Sequence, residues 1–303
     1  MRESVIITDV GPRDGLQNQA RLLQVEERVL LVEALTVAGL PRIEAGAFVS
    51  PKAVPAMAGS DAVIAGLDPA NRQRYSALIP NRRGYELARD AGLCTMAMVV
   101  YASDAMAQEN VGMSAGEAMQ ATVEILRLAR ADNVEVLATI AVAFECPFTG
   151  RTAPQTVCDI ARQCLDMGAA EVVVADTIGA AAPSDVSDLM GRLVSELSAE
   201  KIGCHFHDTR AMGLANVYAA LEAGIRRFDA SIGGMGGCPF APGASGNVAT
   251  EDVVMMVEQM GYSTGVDQSL LLHASDLAQQ LTGAAPGGRA KNWLKPRLQS
   301  ESG

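Results

Sequence analysis

Residues 5–15 read VIITDVGPRDG. A β-branched apolar run reaches an acidic residue and then a turn with glycines at 11 and 15. A doubly wound nucleotide-binding sheet places G-x-G-x-x-G after its first strand, so that backbone N–H groups can approach a pyrophosphate. G-P-R-D-G has another spacing and carries Arg13 and Asp14 inside the turn. The junction therefore reads against the doubly wound sheet.

The rest of the chain extends that reading. Further strand candidates are RIEAGAFV (42–49), YSALIP (75–80), TMAMVVYA (95–102), VLATIAVAF (136–144), EVVVAD (171–176), KIGCHFHD (201–208) and RFDASIGG (227–234). Segments of helical period separate them: 24–38, 81–91, 114–131, 154–167, 183–197, 212–223 and 250–260. Ser114-x-x-Glu117 is a capping-box signature, and Gly39, Gly92, Gly168, Gly224 and Gly261 stand where helices end. Eight strands alternating with helices imply parallel βαβ units. Strands apolar on both faces fit a buried parallel sheet. The expected fold is a (β/α)8 TIM barrel over residues 1–283 with a short C-terminal helical extension. Residues 284–303, rich in Gly and Pro and basic, read as a peripheral tail.

Composition narrows the function. The 303 residues are 49% hydrophobic and 19% charged, with a formal net charge of −11, which argues against a nucleic-acid or anionic-membrane binder. No apolar run approaches a membrane span. The chain begins MRES and passes straight into Val5-Ile6-Ile7 without a signal pattern. Six cysteines form no dense disulfide framework, and Cys94, Cys158, Cys164 and Cys204 read as reduced packing residues. A cytoplasmic protein is expected.

The chain has three histidines, two of them in H-x-H at 205 and 207. Side chains at i and i+2 on a strand share a face, so the two imidazoles point together. In a TIM barrel the active site lies at the C-terminal strand ends. Asp9, Arg13, Asp14, Glu44, Cys146, Asp176, His205, His207, Asp208 and the run GGMGGCPFAPGASGN (233–247) all fall there. His205 and His207 with the carboxylate of Asp14 and the amide of Asn247 make a mixed N/O set that suits Mg²⁺, Mn²⁺ or a similar divalent ion. Two histidines and a carboxylate also describe a non-haem iron oxygenase site, and H-x-H fits an amidohydrolase, although only His273 remains as a further histidine ligand. The glycine run lacks G-K-[ST] and is no P-loop. With Cys238 inside it, it reads as a mobile catalytic loop or as a plain linker.

VGPRDGLQN (10–18), IEAGAFVSP (43–51), CPFTG (146–150), ADTIG (175–179), HFHDT (205–209) and GGCPFAPGASGNVATED (236–252) together resemble the 3-hydroxy-3-methylglutaryl-CoA lyase family of metal-dependent aldolase and Claisen-type barrels, from about residue 5 to 283. The resemblance implies a divalent-metal-dependent carbon–carbon lyase. It would cleave a 3-hydroxyacyl-CoA to acetyl-CoA and a 3-oxo acid. Asp14, His205, His207 and Asn247 match the metal positions, and Arg13 the arginine that stabilises the thioester enolate. Cys238 matches the reactive loop cysteine, and Glu44 and Asp176 acidic positions near the substrate. His205 counts among the catalytic residues as well. The implied partner is an acyl-CoA, with no nucleic acid and no membrane, and a homodimer or higher homo-oligomer is compatible.

Departures surround this set. Ala47 stands where the family usually has Ser, Met106 where it has Phe, and Glu145 where it has Gly. Arg210-Ala211-Met212-Gly213 replaces Tyr-Gly-Gln-Ala. The expectation is an altered substrate wall, with Arg210 as a new anion contact. A lyase for another branched hydroxyacyl-CoA and a condensing acyltransferase are the alternatives.

Overall fold

The computed structural model describes residues 2–237, 246–283 and 288–301. Eight parallel strands close a barrel: β1 (Ile6–Asp9), β2 (Arg42–Ala47), β3 (Tyr75–Leu78), β4 (Thr95–Tyr101), β5 (Glu135–Ala141), β6 (Glu171–Asp176), β7 (Ile202–Phe206) and β8 (Arg227–Ala230). Each strand pairs with its neighbours in the sequence, and β1 pairs with β8 to complete the ring. That is the TIM barrel expected from the alternation.

Each strand is followed by a helix on the outside. These are α1 (Val25–Val37), α2 (Ser60–Gly66), α3 (Arg82–Asp90), α4 (Asp104–Val111), α5 (Ala115–Asp132), α6 (Pro154–Asp166), α7 (Pro183–Glu196), α8 (Gly213–Glu222) and α9 (Thr250–Gln259). Two more, α10 (Gln268–Thr282) and α11 (Lys291–Glu301), form the C-terminal extension. The α5 capping box is present, with Ser114 Oγ accepting from Glu117 N and the Glu117 carboxylate accepting from Ser114 N. The five helix-end glycines all have positive φ, from 84° to 105°, as left-handed C-termini require.

The core lies between barrel and helix ring. Leu31, Val32 and Leu35 of α1 are fully buried against it, and each contributes about 1.5–3 kcal/mol by leaving water. A satellite core under α4 joins Tyr101, Met106, Ala107, Ala118, Ala141, Val142 and Cys146.

The sequence reading ran strand five to residue 144, but β5 stops at Ala141 because Val142 has φ 52°. Positive φ is costly for a β-branched residue. Its peptide is fixed on both sides: Val142 N donates to Thr177 Oγ1 at 2.7 Å, and Val142 O accepts from Thr152 Oγ1 at 2.6 Å. Another correction concerns Cys94, which is exposed rather than a packing residue. Among the described residues Cys94, Cys146, Cys158, Cys164 and Cys204 are free thiols, and no helix is long and apolar enough to cross a membrane.

Candidate metal and active site

The turn after β1 builds the first part of the site. Gly11–Gly15 forms one π-helical turn, with Pro12 supplying a fixed φ at its start. The two glycines serve close packing. A Cβ on Gly11 would lie 2.8 Å from both Asp9 Oδ1 and Ile232 Cγ2, and one on Gly15 would lie 2.8 Å from Ser231 Oγ. The turn is thus pressed onto the segment leaving β8. Asp9, fully buried beneath it, accepts from Gly11 N at 2.8 Å and from Thr250 Oγ1 at 2.7 Å. Burial pushes its carboxyl up to about 7 despite those bonds.

Asp14 meets the two histidines here. One ligand atom each of Asp14, His205 and His207 lies within 4.8 Å of the others. The imidazole centroids are 5.2 Å apart, so the shared face expected of H-x-H is present. A β-bridge between His207 and Asn247 carries the asparagine to the same place. Asn247 Nδ2 donates to Asp14 Oδ2 at 2.7 Å and to Met235 O at 3.0 Å. Reversing the amide would set its oxygen against both acceptors, so this network fixes the orientation. Among the described residues Asn247 Oδ1 and His207 Nδ1 are left buried without a hydrogen-bond partner. Orphaned buried polar atoms are rare and call for an explanation. A divalent cation would supply one here, and the donor set fits it.

Charge in the site is arranged around Arg13. Its Nε donates to Glu44 Oε2 at 2.6 Å and its Nη1 to Asp14 Oδ1 at 2.7 Å. Burial works against the guanidinium charge, but Glu44 and Asp14 outweigh it and raise the Arg13 pKa. Burial likewise opposes ionisation of Asp14, yet Arg13 and the histidines hold it down at about 2. For Glu44 burial wins over Arg13, and its pKa rises. His207 is lowered to about 4 by burial and by His205 beside it, so it is a neutral donor near pH 7. His205 is depressed by burial and raised further by Asp229 and Asp14, for a net upward shift.

Sequence reading missed Asp229. It lies on β8 in register with His205, and its Oδ2 is 3.2 Å from His205 Nδ1. A carboxylate on one ring nitrogen orients a metal-binding histidine and presents the other nitrogen. The signal was a single acidic residue between Phe228 and Ala230 in a strand candidate.

Asp176 ends β6 but stays outside the ligand cluster. Its oxygens accept from Ala180 N at 2.8 Å and from Ala181 N at 3.1 Å and 3.2 Å. Burial raises it to about 6 against those bonds. Cys238 lies outside the described residues. Met106 is buried in the satellite core and Ala47 at the end of β2. Arg210 Nε and Nη2 donate to the carbonyls of Gly179 and Ala181 at 2.8 Å and 3.0 Å. Instead of offering those donors to an anion, Arg210 staples the loop after β6.

The HMGL-like family model matches residues 4–278. The chain is 42% identical over 299 residues to the hydroxymethylglutaryl-CoA lyase of Pseudomonas mevalonii, with 99% of each chain covered. It is 43% identical over 287 residues to the (R)-citramalyl-CoA lyase of Chloroflexus aurantiacus, covering 90% of each. Among solved structures, an HMG-CoA lyase from Acinetobacter baumannii in complex with coenzyme A and 3-methylmalate matches with a TM-score of 0.90 at 36% identity, over 95% of this chain and 94% of that one.

Proposed function

The chain belongs to the HMGL-like family and is a carbon–carbon lyase, and from that premise we propose that it cleaves a 3-hydroxy-3-methylglutaryl-CoA-like 3-hydroxyacyl-CoA to acetyl-CoA and an oxo acid. The observation that carries this reading is the convergence of Asp14, His205 and His207 beside the paired guanidinium of Arg13. Asp14, His205, His207 and Asn247 are the proposed ligands of Mg²⁺ or Mn²⁺. When bound, such an ion supplies Lewis-acid polarisation of substrate oxygens and makes a bound hydroxyl more acidic.

The chain's own residues do the rest. The substrate hydroxyl gives up its proton to a base, the C2–C3 bond breaks, and the electron pair moves toward the thioester oxygen. Arg13 is the proposed stabiliser of that oxygen. The N–H of Nε and one of Nη1 are held by Glu44 and Asp14, and the remaining N–H groups, on Nη2 and Nη1, are the donors for charge that develops only in the transition state. Glu44 orients Arg13, and Asp229 orients His205. Asp176 fixes the loop after β6 through its backbone N–H groups. A proton then reaches the enolate carbon to complete acetyl-CoA. Cys238 is the proposed acid–base group of the glycine-rich run, on the family pattern alone.

A second substrate reading is an (R)-citramalyl-CoA-like thioester, favoured by the 43% identity to that lyase. An acyl-CoA panel with acetyl-CoA release and co-product identification tests both. Acetoacetate from 3-hydroxy-3-methylglutaryl-CoA supports the first, and preferred release of a 2-oxo acid from a citramalyl thioester supports the second. Net consumption of acetyl-CoA with an oxo acid, without cleavage of any panel member, would assign a condensing acyltransferase instead.

A further inference from the structure

Arg28, in the first turn of α1, is 1% exposed and has no carboxylate partner among the described residues. Its Nη1 donates to Ala58 O at 2.8 Å and its Nη2 to Ser60 Oγ at 3.1 Å, while Nε is buried with no partner among the described residues. Burial pulls the group down to about 10. A buried cation without an anion is costly, and its local partners are all neutral: the two oxygens and Met57 Sδ, 3.9 Å from Nη2. What those oxygens hold is the informative part.

Ser60 is buried and serves three contacts. Its hydroxyl donates to Met57 O at 2.8 Å, and it accepts from Arg28 and from Ala47 N at 3.1 Å. Ala47 is the last residue of β2, just past an irregularity where the β2–β3 register shifts between Glu44 and Gly46. The strand is pressed close at this point. A Cβ on Gly46 would lie 2.7 Å from Ser60 Oγ and 3.2 Å from Arg28 Nη2. On the other side of the irregularity is Glu44, whose Oε2 holds Arg13 Nε at 2.6 Å.

We propose that Arg28 and Ser60 are positioning residues that clamp the bulge at the end of β2 and so set the direction in which Glu44 reaches Arg13. A bulge re-aims the side chains beside it and bends its strand. The clamp keeps that bend in one place. Arg28 reinforces the serine from behind, because a guanidinium on Ser60 Oγ fixes which lone pair faces Ala47 N. The proposal rests on the reading that Arg13 acts at the reacting thioester.

Two readouts test it. The crystal structure of Ser60→Ala should show the Arg13 Nε–Glu44 Oε2 contact lengthened or broken, and an unchanged contact overturns the clamp whatever the enzyme cleaves. The kinetic test uses 3-hydroxy-3-methylglutaryl-CoA with Ser60→Ala, Arg28→Lys, Glu44→Gln and the Ser60→Ala/Glu44→Gln double variant. Small misplacement of a catalytic group can cost about a hundredfold, so each clamp variant should lower kcat roughly ten- to a hundredfold, with KM and Mn²⁺ affinity within about threefold. In the Glu44→Gln background the Ser60→Ala loss should largely vanish, as coupled residues show. Full additivity, or a drop in thermal midpoint with normal kcat, contradicts the proposal. Should Arg28→Lys fail to fold, Ser60→Ala still decides. Normal kcat in Glu44→Gln overturns it through the reading of Arg13, and the crystal structure separates that failure from a failure of the clamp itself.

Discussion

Replacing Asp229 should weaken metal binding without removing a ligand. Its Oδ2 lies 3.2 Å from His205 Nδ1, and its side chain is 17% exposed. Loss of a partner that orients a ligating histidine typically lowers metal affinity about 10–100-fold, or roughly 1.4–2.7 kcal/mol. The contact is longer than the ~2.7–2.9 Å of the strongest charge-assisted bonds, and partial exposure screens it. The lower half of the range is therefore expected for Asp229→Ala, about 10–30-fold. Asp229→Asn keeps an acceptor but loses the charge, and a loss of about 3–10-fold should follow, since charged hydrogen bonds are about twice as strong as neutral ones. Calorimetric titration with Mn²⁺ at neutral pH measures both, with the thermal midpoint recorded beside it. Wild-type affinity in both variants would refute the reasoning, even if stability fell.

Arg13→Lys keeps the charge and loses the planar fork, so kcat should fall at least about a hundred- to a thousandfold with nearly normal Mn²⁺ affinity. A raised KM with normal kcat would show that Arg13 only binds substrate. Ala211 has φ 58°, so Ala211→Gly should stabilise the fold by roughly 0.5–1 kcal/mol, read from the denaturant midpoint; no gain would remove the strain argument. Asp9 is raised from 3.8 to about 7, so the folded state holds its proton more tightly than the unfolded chain. Its contribution to stability is present at low pH and is lost as pH rises through that window, by at most about 4 kcal/mol for a shift of roughly three pKa units. Asp9→Asn mimics the protonated form and should flatten this loss; parallel wild-type and variant stability curves would contradict it.

Much of the fold was legible because the two hydrophobic periods alternate cleanly and glycine marks the helix ends. The misses have physical causes. Val142 looks like strand, and only hydroxyls from Thr177 and Thr152, distant in sequence, turn its backbone. The helices α2, between β2 and β3, and α4, between β4 and α5, are short, and no long period announces them. Of the site, Asp14, His205, His207, Asn247, Arg13 and Glu44 stood out by residue type and placement, and the fold brings them together. Asp229 did not stand out, since its value comes from the β7–β8 register. Met106 and Arg210 were legible as departures, but not their surroundings. Met106 lies on the buried face of α4, and Arg210 is bonded to carbonyls of the neighbouring loop.

Asp14, His205, His207 and Asn247 are proposed to hold one divalent ion between them. Anomalous diffraction from a crystal soaked in Mn²⁺ tests it directly. A single strong peak is expected about 2.0–2.4 Å from a carboxylate oxygen of Asp14, a ring nitrogen of each histidine and Asn247 Oδ1. A soaked crystal with no peak there, or with its peak at another cluster, would mean that these four residues do not form the metal site.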